Sequence, residues 1–312
     1  MNKNILITSI SSKVPLIKTV KKAKNKFDKS IKIFGIDSAN KVLGKYFVDE
    51  FYILPKLKEF KIEDFIDFCK RNKIKYIIPT RDEDLLFYSS YNKILLKKNI
   101  YLFSPDNFVV NMCNDKYLFT KENKIDFNIK TSLNIKDLKN VDSYVVKDRF
   151  GSGSKNIGLN LKESDAIEFS KKLKNPIFQE FIEGEEYSID SYVSKSNKFV
   201  GCIIRKREFV KNGESIITYS LKDDILERKI KNFLLKNNII GHSITQVIKK
   251  DNNYFLIECN TRFGGASTLS DKMGLKSFYW FLCEMNDKIF KFKRNKKNFM
   301  QIRIPKDIYY EC

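Results

Sequence analysis

Histidine is scarce in this chain, and closely spaced cysteine pairs are missing. Both features argue against a zinc site. The 312 residues include one histidine, His242, and 12 glycines. The six cysteines are scattered, and none stands in a Cys-x-x-Cys pair, so a zinc site is not expected. Isolated cysteines in a chain of this size favour a reducing, cytoplasmic compartment. We interpret His242 as a solvated loop histidine, with a catalytic role as the alternative.

Long apolar runs are also missing. No segment approaches the ~18 uninterrupted apolar residues that a membrane-spanning helix needs. The first residues lead directly into a short apolar strand, without the long apolar core of a signal peptide. We therefore expect no membrane partner and a cytoplasmic location.

Acidic residues are outnumbered, and the formal net charge is +21. Such an excess can indicate nucleic-acid binding. The lysines, however, are spread along the whole chain without a dense basic tract, as an AT-rich genome would give. We expect no specific nucleic-acid partner, although a phosphorylated substrate would also benefit from the positive potential. Retention on DNA that weakens with salt, without ATP turnover, would support the nucleic-acid alternative.

Hydrophobic residues make up 42% of the chain, enough for a sizeable core, and the length suggests about two domains. In the first part, predicted strands alternate with predicted helices. The strands are expected at residues 4–8, 31–37, 46–54, 76–79 and 100–103. This alternation is typical of a parallel α/β sheet of Rossmann type. We place this domain at residues 1–110.

An α+β pattern follows over residues 111–312. Helices are expected at about 115–123, 164–174 and 223–237. Strands are expected at 143–147, 157–161, 176–181, 187–193, 198–205 and 299–304. This second domain holds most of the candidate chemistry, and a smaller subdomain is expected at about 135–185.

The most informative motif, Glu-x-Asn-x-Arg followed by two glycines, ends an apolar run. Alternate residues of a strand share a face, so Glu258, Asn260 and Arg262 are expected to point the same way. Glu and Asn oxygens suit Mg²⁺, and an arginine suits the phosphate that the cation carries. Cys259 is expected on the opposite, core face. A plain strand running into a polar turn is the alternative.

A second motif delivers a lysine to a loop of small residues. A β-rich run ends in Lys147, and the chain returns to a strand after Gly151, Ser152, Gly153 and Ser154. Glycines let backbone N–H groups approach phosphate closely, and the lysine adds a charge. The residue order of a Walker A loop is missing, and a strand follows where a Rossmann fingerprint needs a helix. An ordinary hairpin turn is the alternative.

A third motif is an extended linker between two strands. It consists of Gln179, Glu180, Phe181 and Ile182, with Glu186 two residues beyond a turn at Gly184. Free backbone groups of such a linker can bind an adenine edge, and a carboxylate after the turn can accept hydrogen bonds from ribose. A hairpin with exposed acids is the alternative.

Two single residues complete the set. Lys116 opens a predicted helix, which alone is unremarkable. Gln246 lies on a strand before a predicted two-residue turn, Asn252-Asn253, so we expect it to be a cross-strand neighbour of Glu258.

The order of these motifs resembles the ATP-grasp superfamily, on the branch of the carbamoyl-phosphate synthetase large subunit and related carboxylate–amine ligases. The resemblance covers about residues 1–285. It implies a Rossmann-like preATP-grasp domain followed by an ATP-grasp fold of two α+β subdomains. No single motif is highly specific to this superfamily, but the combination of five motifs in this order is.

The resemblance implies a role for each matching position. Lys116 and Lys147 would contact ATP phosphates under the loop 151–154. The hinge from Gln179 to Ile182 would hold adenine, with Glu186 on the ribose. Glu258, Asn260 and Gln246 would ligate Mg²⁺, with Mn²⁺ as an alternative, and Arg262 would be catalytic beside the transferred phosphoryl group.

The sequence departs from the family pattern at the first turn. The turn after the first strand is Ser9-Ile10-Ser11-Ser12 where many members have glycines, so a ligand role there is not expected. Gln246 is neutral where other branches have an acid, which lowers the negative charge offered to a second Mg²⁺.

The implied reaction is ATP-dependent ligation of a carboxylate and an amine through an acyl phosphate, with release of ADP and phosphate. The alternatives are ATP-dependent carboxylation or phosphorylation of a small molecule, and a nucleotide-binding protein without catalysis. Arg205 and Arg207 are candidates for holding the substrate, although a basic hairpin tip fits them equally. The expected partners are small carboxylates and amines, and a homodimer is left open.

Overall fold

A parallel sheet forms the first part of the chain. The computed structural model describes residues 3–123, 125–151 and 156–309, so Ser152, Gly153 and Ser154 of the predicted loop lie outside the described residues. The strands are β1 (Asn4–Ile7), β2 (Ile33–Asp37), β3 (Glu50–Ile53), β4 (Ile74–Ile78) and β5 (Tyr101–Leu102). They lie in the order β3-β2-β1-β4-β5 and pair in parallel. The predicted Rossmann-like sheet is confirmed.

Helices cover this sheet, and their apolar faces explain where they form. They are α1 (Val14–Phe27), α2 (Ile62–Arg71), α3 (Asp82–Ser90) and α4 (Asn92–Lys97). In α2 the residues Ile62, Phe65, Ile66 and Cys69 are buried, as their helical spacing predicts. Three acids in the first turn of α3 suit the positive end of that helix. This places α3, with its acids, at the carboxyl end of β4.

Two short helices lead out of the sheet, α5 (Asn107–Asn114) and α6 (Lys116–Glu122). Both begin at a capping aspartate: Asp106 accepts from the Val109 N–H at 3.0 Å, and Asp115 accepts from the Leu118 N–H at 3.0 Å. The α5 helix was not predicted. The Asp115 cap fixes where α6 starts, and therefore where Lys116 stands.

A small antiparallel sheet follows, in the order β6-β9-β7-β8. Its elements are β6 (Thr131–Ser132), β7 (Tyr144–Asp148), β8 (Ile157–Leu161), α7 (Glu163–Ser170) and β9 (Pro176–Glu180). Tyr144, Val146, Ala166 and Phe178 share its separate core. Strands β7, β8 and β9 confirm the predicted ones, and they carry Lys147 and the hinge.

A larger antiparallel sheet completes the chain. Its elements are β10 (Glu185–Val193), β11 (Phe199–Lys211), β12 (Glu214–Leu221), α8 (Asp224–Lys236), β13 (Gly241–Lys250), β14 (Asn253–Asn260), α9 (Ser267–Lys272), α10 (Ser277–Glu284) and β15 (Met300–Ile302). The order is β14-β13-β10-β11-β12-β15. Val20 of α1 and Trp280 and Phe281 of α10 belong to one buried cluster, so the parallel sheet and the larger sheet share a core.

Three local predictions are corrected by this arrangement. The β13–β14 hairpin turns at Asp251-Asn252, one residue earlier than predicted, because Lys250 pairs with Asn253. His242 is on β13 and is 2% exposed, so it is not a solvated loop histidine. Arg205 and Arg207 lie within β11, because its hairpin with β12 pairs Lys211 with Glu214, well beyond them. Among the described residues, no helix has the length and apolarity to span a membrane.

Candidate functional site

A cavity forms where the parallel sheet, the α5–α6 segment and β14 meet. Its lining includes Asp82, Lys116, Gly151, Glu258 and Asn260. The structure thus brings together residues from three of the sequence motifs, the first and last of them separated by more than a hundred positions. Their roles toward a ligand stay predictions; the geometry shows what each is able to offer.

Lys116 is held at the mouth of this cavity by its neighbours. The Arg149 guanidinium donates to both oxygens of the Asp115 carboxylate, at 2.7 and 2.5 Å, and the Lys116 N–H donates to the Arg149 carbonyl at 3.1 Å. The Lys116 ammonium donates to the Gly151 carbonyl at 2.6 Å. A capped helix start, a bidentate ion pair and the loop carbonyl therefore fix the direction of this lysine.

Lys147 is buried, although it is a cation at the end of β7. The pKa of Lys147 is lowered to about 8. Burial is the largest cause, the Glu258 carboxylate opposes it, and the Lys116 ammonium adds to the lowering. Lys147 is therefore close to both Glu258 and Lys116. A bound polyphosphate would stabilise this buried ammonium group, which lies beside a second cation.

Glu258 and Asn260 lie at the end of β14, where the predicted pairing with β13 is present. Gln246 is in register with Glu258, which confirms that they are cross-strand neighbours. The Asn260 amide donates to the Glu258 carboxylate at 2.8 Å. The described residues contain no group of three or more His, Cys, Asp or Glu placed to hold a metal ion. One carboxylate and two amide oxygens do fit Mg²⁺ when the phosphates of a nucleotide supply the other ligands.

The hinge leaves a backbone donor available. The Glu180 N–H donates to the Lys130 carbonyl at 3.1 Å, and the Phe181 N–H donates to the Ser143 carbonyl at 2.9 Å. Across the part of the chain that the structure describes, the Ile182 N–H has no such acceptor. Gln179 is 2% exposed and donates to the Thr131 hydroxyl at 2.8 Å. Gln179 therefore braces the hinge from beneath, and Ile182 offers the free donor.

Arg262 forms a bridge to the parallel sheet. Its guanidinium donates to both oxygens of Asp82, at 2.5 and 3.1 Å, across 180 positions of the chain. Burial lowers the pKa of Arg262, but the Asp82 carboxylate, with Glu258 and Glu83 further away, outweighs burial and raises it. A charged, oriented arginine therefore stands at the end of β14 beside the Glu258 carboxylate.

Sequence reasoning missed three charged residues near Arg262. Asp82, in the first turn of α3, belongs to none of the sequence motifs. Burial and the nearby Arg262 lower the pKa of Lys13, with Glu214, Asp82 and Asp84 acting in the opposite direction. Arg303 pairs with Glu214 at 2.7 Å and lies against Gly265, where an added Cβ would be 2.7 Å from its guanidinium. The only sequence signal was that Lys13 and Asp82 stand at the starts of the helices that follow β1 and β4.

Arg205, one of the two arginines suggested to hold the substrate, is engaged in a buried ion pair. Arg205 is 2% exposed and donates to the buried Asp190 carboxylate at 2.5 Å, so it is not available to a substrate. Ser267, Ser270 and His242 surround the same carboxylate. The Arg205 prediction is therefore replaced by a structural role in a buried charge network.

Arg207 lies beside the predicted ribose carboxylate. The Arg207 Nε lies 2.9 Å from the Glu186 carboxylate, and the Arg207 Nη2 donates to the Gly213 carbonyl at 3.1 Å. The side chain is 8% exposed, whereas that of Glu186 is 46% exposed. Arg207 therefore orients Glu186, which keeps the accessible position. Cys259 is 1% exposed, as predicted for a core residue, and also reaches the cavity wall.

Family models match both parts of the chain. The PylC-like, N-terminal domain matches residues 5–103, and the ATP-grasp domain matches residues 113–266. A tyramine–L-glutamate ligase of Methanocaldococcus fervens is 30% identical over 237 residues, covering 73% of this chain and 74% of that protein. The enzyme of the same description from Methanocaldococcus jannaschii is 29% identical, covering 78% and 76%.

Solved structures share the fold at low identity. Biotin carboxylase from Campylobacter jejuni has a TM-score of 0.79 at 14% identity, covering 96% of this chain and 75% of its own. N5-carboxyaminoimidazole synthetase from Staphylococcus aureus has a TM-score of 0.75 at 15% identity, covering 96% and 82%. The L-amino acid ligase from Bacillus licheniformis has a TM-score of 0.67 at 16% identity, covering 91% and 74%.

The chain belongs to the ATP-grasp family and carries a PylC-like N-terminal domain. It is an ATP-dependent carboxylate–amine ligase that forms an amide bond and releases ADP. The fold and the activity that the motif order implied are thereby confirmed. Enzymes of this family use ATP and Mg²⁺, and this ligase joins small molecules.

Proposed function

We propose that this ligase joins L-glutamate, or a closely related acidic amino acid, to a primary amine that bears an aromatic ring. The sequence relatives named tyramine–L-glutamate ligase support this choice. The observation that carries it is the group of cations around Arg262. Within the described residues, the Lys13 ammonium has no hydrogen-bonded carboxylate partner, and Arg262 and Arg303 lie close by. An anionic amino acid would pair with these charges.

The ATP-binding roles remain part of this proposal. Lys116 and Lys147 bind the phosphates, the hinge around Ile182 binds adenine, and Glu186 binds ribose. Glu258 and Asn260 hold the Mg²⁺, or Mn²⁺, that carries those phosphates, and Gln246 supports them from β13. When bound, the metal neutralises phosphate charge. Gly151 is assigned to the phosphates as well. Ser152, Gly153 and Ser154, which are also predicted to contact ATP, lie outside the described residues.

The chemistry follows from the placement of these charges. A carboxylate oxygen of the amino acid attacks the γ-phosphorus of ATP, the bond to the β-phosphate oxygen breaks, and ADP leaves. The amine then attacks the acyl carbon, phosphate departs with its electron pair, and the amine gives up a proton. Two anions must approach each other in the first step. Lys116, Lys147 and Arg262 offset this repulsion and stabilise the charge that moves to the leaving groups.

Product analysis tests the substrate proposal. Purified protein would be incubated with Mg-ATP, each of several amino acids, and tyramine, phenethylamine or butylamine. We expect one amide, identified by mass spectrometry, for each ADP released, with glutamate and the aromatic amines preferred. Amide formation only with neutral amino acids would contradict the proposal. An Arg262→Ala variant should lose turnover and still bind ATP.

Two further properties stay proposals. The free cysteines Cys69, Cys113, Cys202, Cys259 and Cys283 support a reducing, cytoplasmic location. A homodimer is supported by one neighbour of similar fold whose biotin carboxylase domain was crystallised as a dimer. Sedimentation of the purified protein would decide between a monomer of 36.8 kDa and a particle of twice that mass.

A further inference from the structure

A second cavity lies in the parallel sheet, beside the ligase site. Its volume is about 320 Å³. Its lining includes residues that directly follow β1, β2 and β3, together with Arg81, Glu83 and Asp84 from the segment that leads from β4 into α3. The strand order β3-β2-β1-β4-β5 reverses direction between β1 and β4. Open parallel sheets bind their ligands in the crevice outside the carboxyl ends of the strands at such a reversal. The cavity therefore lies where open parallel sheets commonly bind their ligands.

The two cavities meet at the first turn of α3. Asp82 lines the first cavity and forms an ion pair with Arg262. Its neighbours Glu83 and Asp84 line the second cavity. The Glu83 carboxylate helps to raise the pKa of Arg262 across this turn. A molecule in the second cavity would thus present one end to the region of Arg262, where the activated carboxylate is expected.

The wall of the second cavity combines apolar, acidic and basic groups. The basic ones are Lys56, Lys58 and Arg81, of which Arg81 pairs with Asp84 and Lys58 with Glu59. Leu54, Leu57 and Phe60 are half-buried there, and Tyr88 is buried behind them. Glu83, which also lines the cavity, is exposed and has no hydrogen-bonded partner among the residues that the structure describes. These apolar side chains and the free Glu83 carboxylate are complementary to an apolar body that ends in an ammonium group, provided that this group lies away from Lys56 and Lys58.

A nucleotide fits this cavity less well. The turn after β1 contains no glycine, so its backbone cannot approach a pyrophosphate as closely as the dinucleotide motif requires. The Asp37 carboxylate, where a ribose could bind, already accepts from the Ser11 and Ala39 N–H groups at 2.9 and 3.2 Å. Asp84 is satisfied by Thr8 and Arg81, at 2.7 and 2.9 Å.

We propose that this cavity is the amine site of the ligase: the aromatic ring packs on Leu57 and Phe60, and the ammonium group approaches Glu83. The inference rests on the proposed function, because it assigns the second substrate of that reaction. The site selects amines with a ring or a long apolar body over small amines. Glu83 holds the ammonium beside the region of Arg262 and, as a carboxylate, is placed to accept the proton released on attack.

Two variants test the assignment. Leu57→Trp fills the apolar side, and Glu83→Gln removes the charge. We expect each to raise the KM for tyramine at least about 10-fold, as the loss of one good pocket contact does, and to leave the KM values for ATP and glutamate within about twofold. Leu96→Trp and Glu63→Gln, exposed changes on α4 and α2, serve as controls and should behave as the wild type.

Calorimetry with tyramine separates this inference from the proposed function. If the wild type binds tyramine with a non-hydrolysable ATP analogue present and Leu57→Trp does not, the cavity is the amine site, whichever carboxylate is used. If amide forms but both variants retain the wild-type KM for tyramine, the amine binds elsewhere and the inference is wrong. A rise in the KM for ATP or glutamate alone would overturn it too, because another substrate would then occupy the cavity.

Discussion

The buried Lys147 makes ATP binding depend on pH in a calculable way. A pKa of about 8 leaves about nine tenths of the Lys147 side chains neutral at pH 9. If the ATP phosphates restore the ordinary value of 10.5, binding at pH 9 takes up about 0.9 proton, against about 0.1 at pH 7. The affinity for ATP should then be about tenfold weaker at pH 9 than at pH 7, about 1.4 kcal/mol.

The direction of the stability effect follows from the same lowered pKa. Between about pH 8 and 10.5 the unfolded chain binds the Lys147 proton and the folded chain does not. The ATP-free protein should therefore gain stability from this group as the pH rises through that window, while it loses affinity for ATP.

Calorimetry in buffers of different ionisation enthalpy measures the proton uptake directly. Lys147→Arg keeps a charged group at every pH, so it should abolish the uptake and flatten the affinity profile. Lys130→Arg, an exposed lysine near the hinge, is the matched control and should keep the wild-type profile. The reasoning is refuted if the wild type takes up no proton at pH 9, or if Lys147→Arg takes up as much as the wild type.

Three further changes probe the rest of the site. Glu258→Gln should lower kcat about 100-fold by removing the carboxylate at the Mg²⁺ position, measured as ADP release over a Mg²⁺ titration. Asp82→Asn frees the Arg262 guanidinium, so the KM for the carboxylate substrate should rise about 10-fold, while the unfolding free energy falls by only about 1 kcal/mol for a pair that is partly exposed. Asp190→Asn leaves Arg205 as an uncompensated buried charge and should lower the unfolding free energy by about 3–5 kcal/mol in urea titrations.

Each of these changes has an outcome that would count against it. Full activity of Glu258→Gln at saturating Mg²⁺ would place the metal elsewhere. A loss of stability in Asp82→Asn without a change in KM would make its pair with Arg262 purely structural. If Asp190→Asn unfolds like the wild type, the buried network does not have the energetic importance that its geometry indicates.

Much of the fold could be predicted from local sequence signals. Buried parallel strands are short apolar runs, and α2 has its apolar residues at helical spacing, so both could be located without the structure. The Gln246–Glu258 pairing followed from a hairpin, where a short turn fixes the register. The motifs on β7, β9 and β14 were identified because each places its polar residues at the end of a strand.

The missed features depend on contacts between distant segments. Nothing local to Asp82 indicates that it will meet Arg262, because the sheets must first pack on each other. The burial of His242 and Arg205 depends on Asp190, which lies on a neighbouring strand and supplies the countercharge. The cavity assigned to the amine is built from the segments that follow four strands, and no single stretch of sequence encodes it.

The most direct test of the account follows one oxygen atom. Glutamate labelled with ¹⁸O in its carboxylates would be converted in the presence of Mg-ATP and tyramine, and the released phosphate analysed by mass spectrometry. An acyl phosphate leaves one carboxylate oxygen on phosphorus, so each phosphate should carry one ¹⁸O, alongside one ADP and one amide. Unlabelled phosphate, or AMP in place of ADP, would contradict ligation through an acyl phosphate at this site.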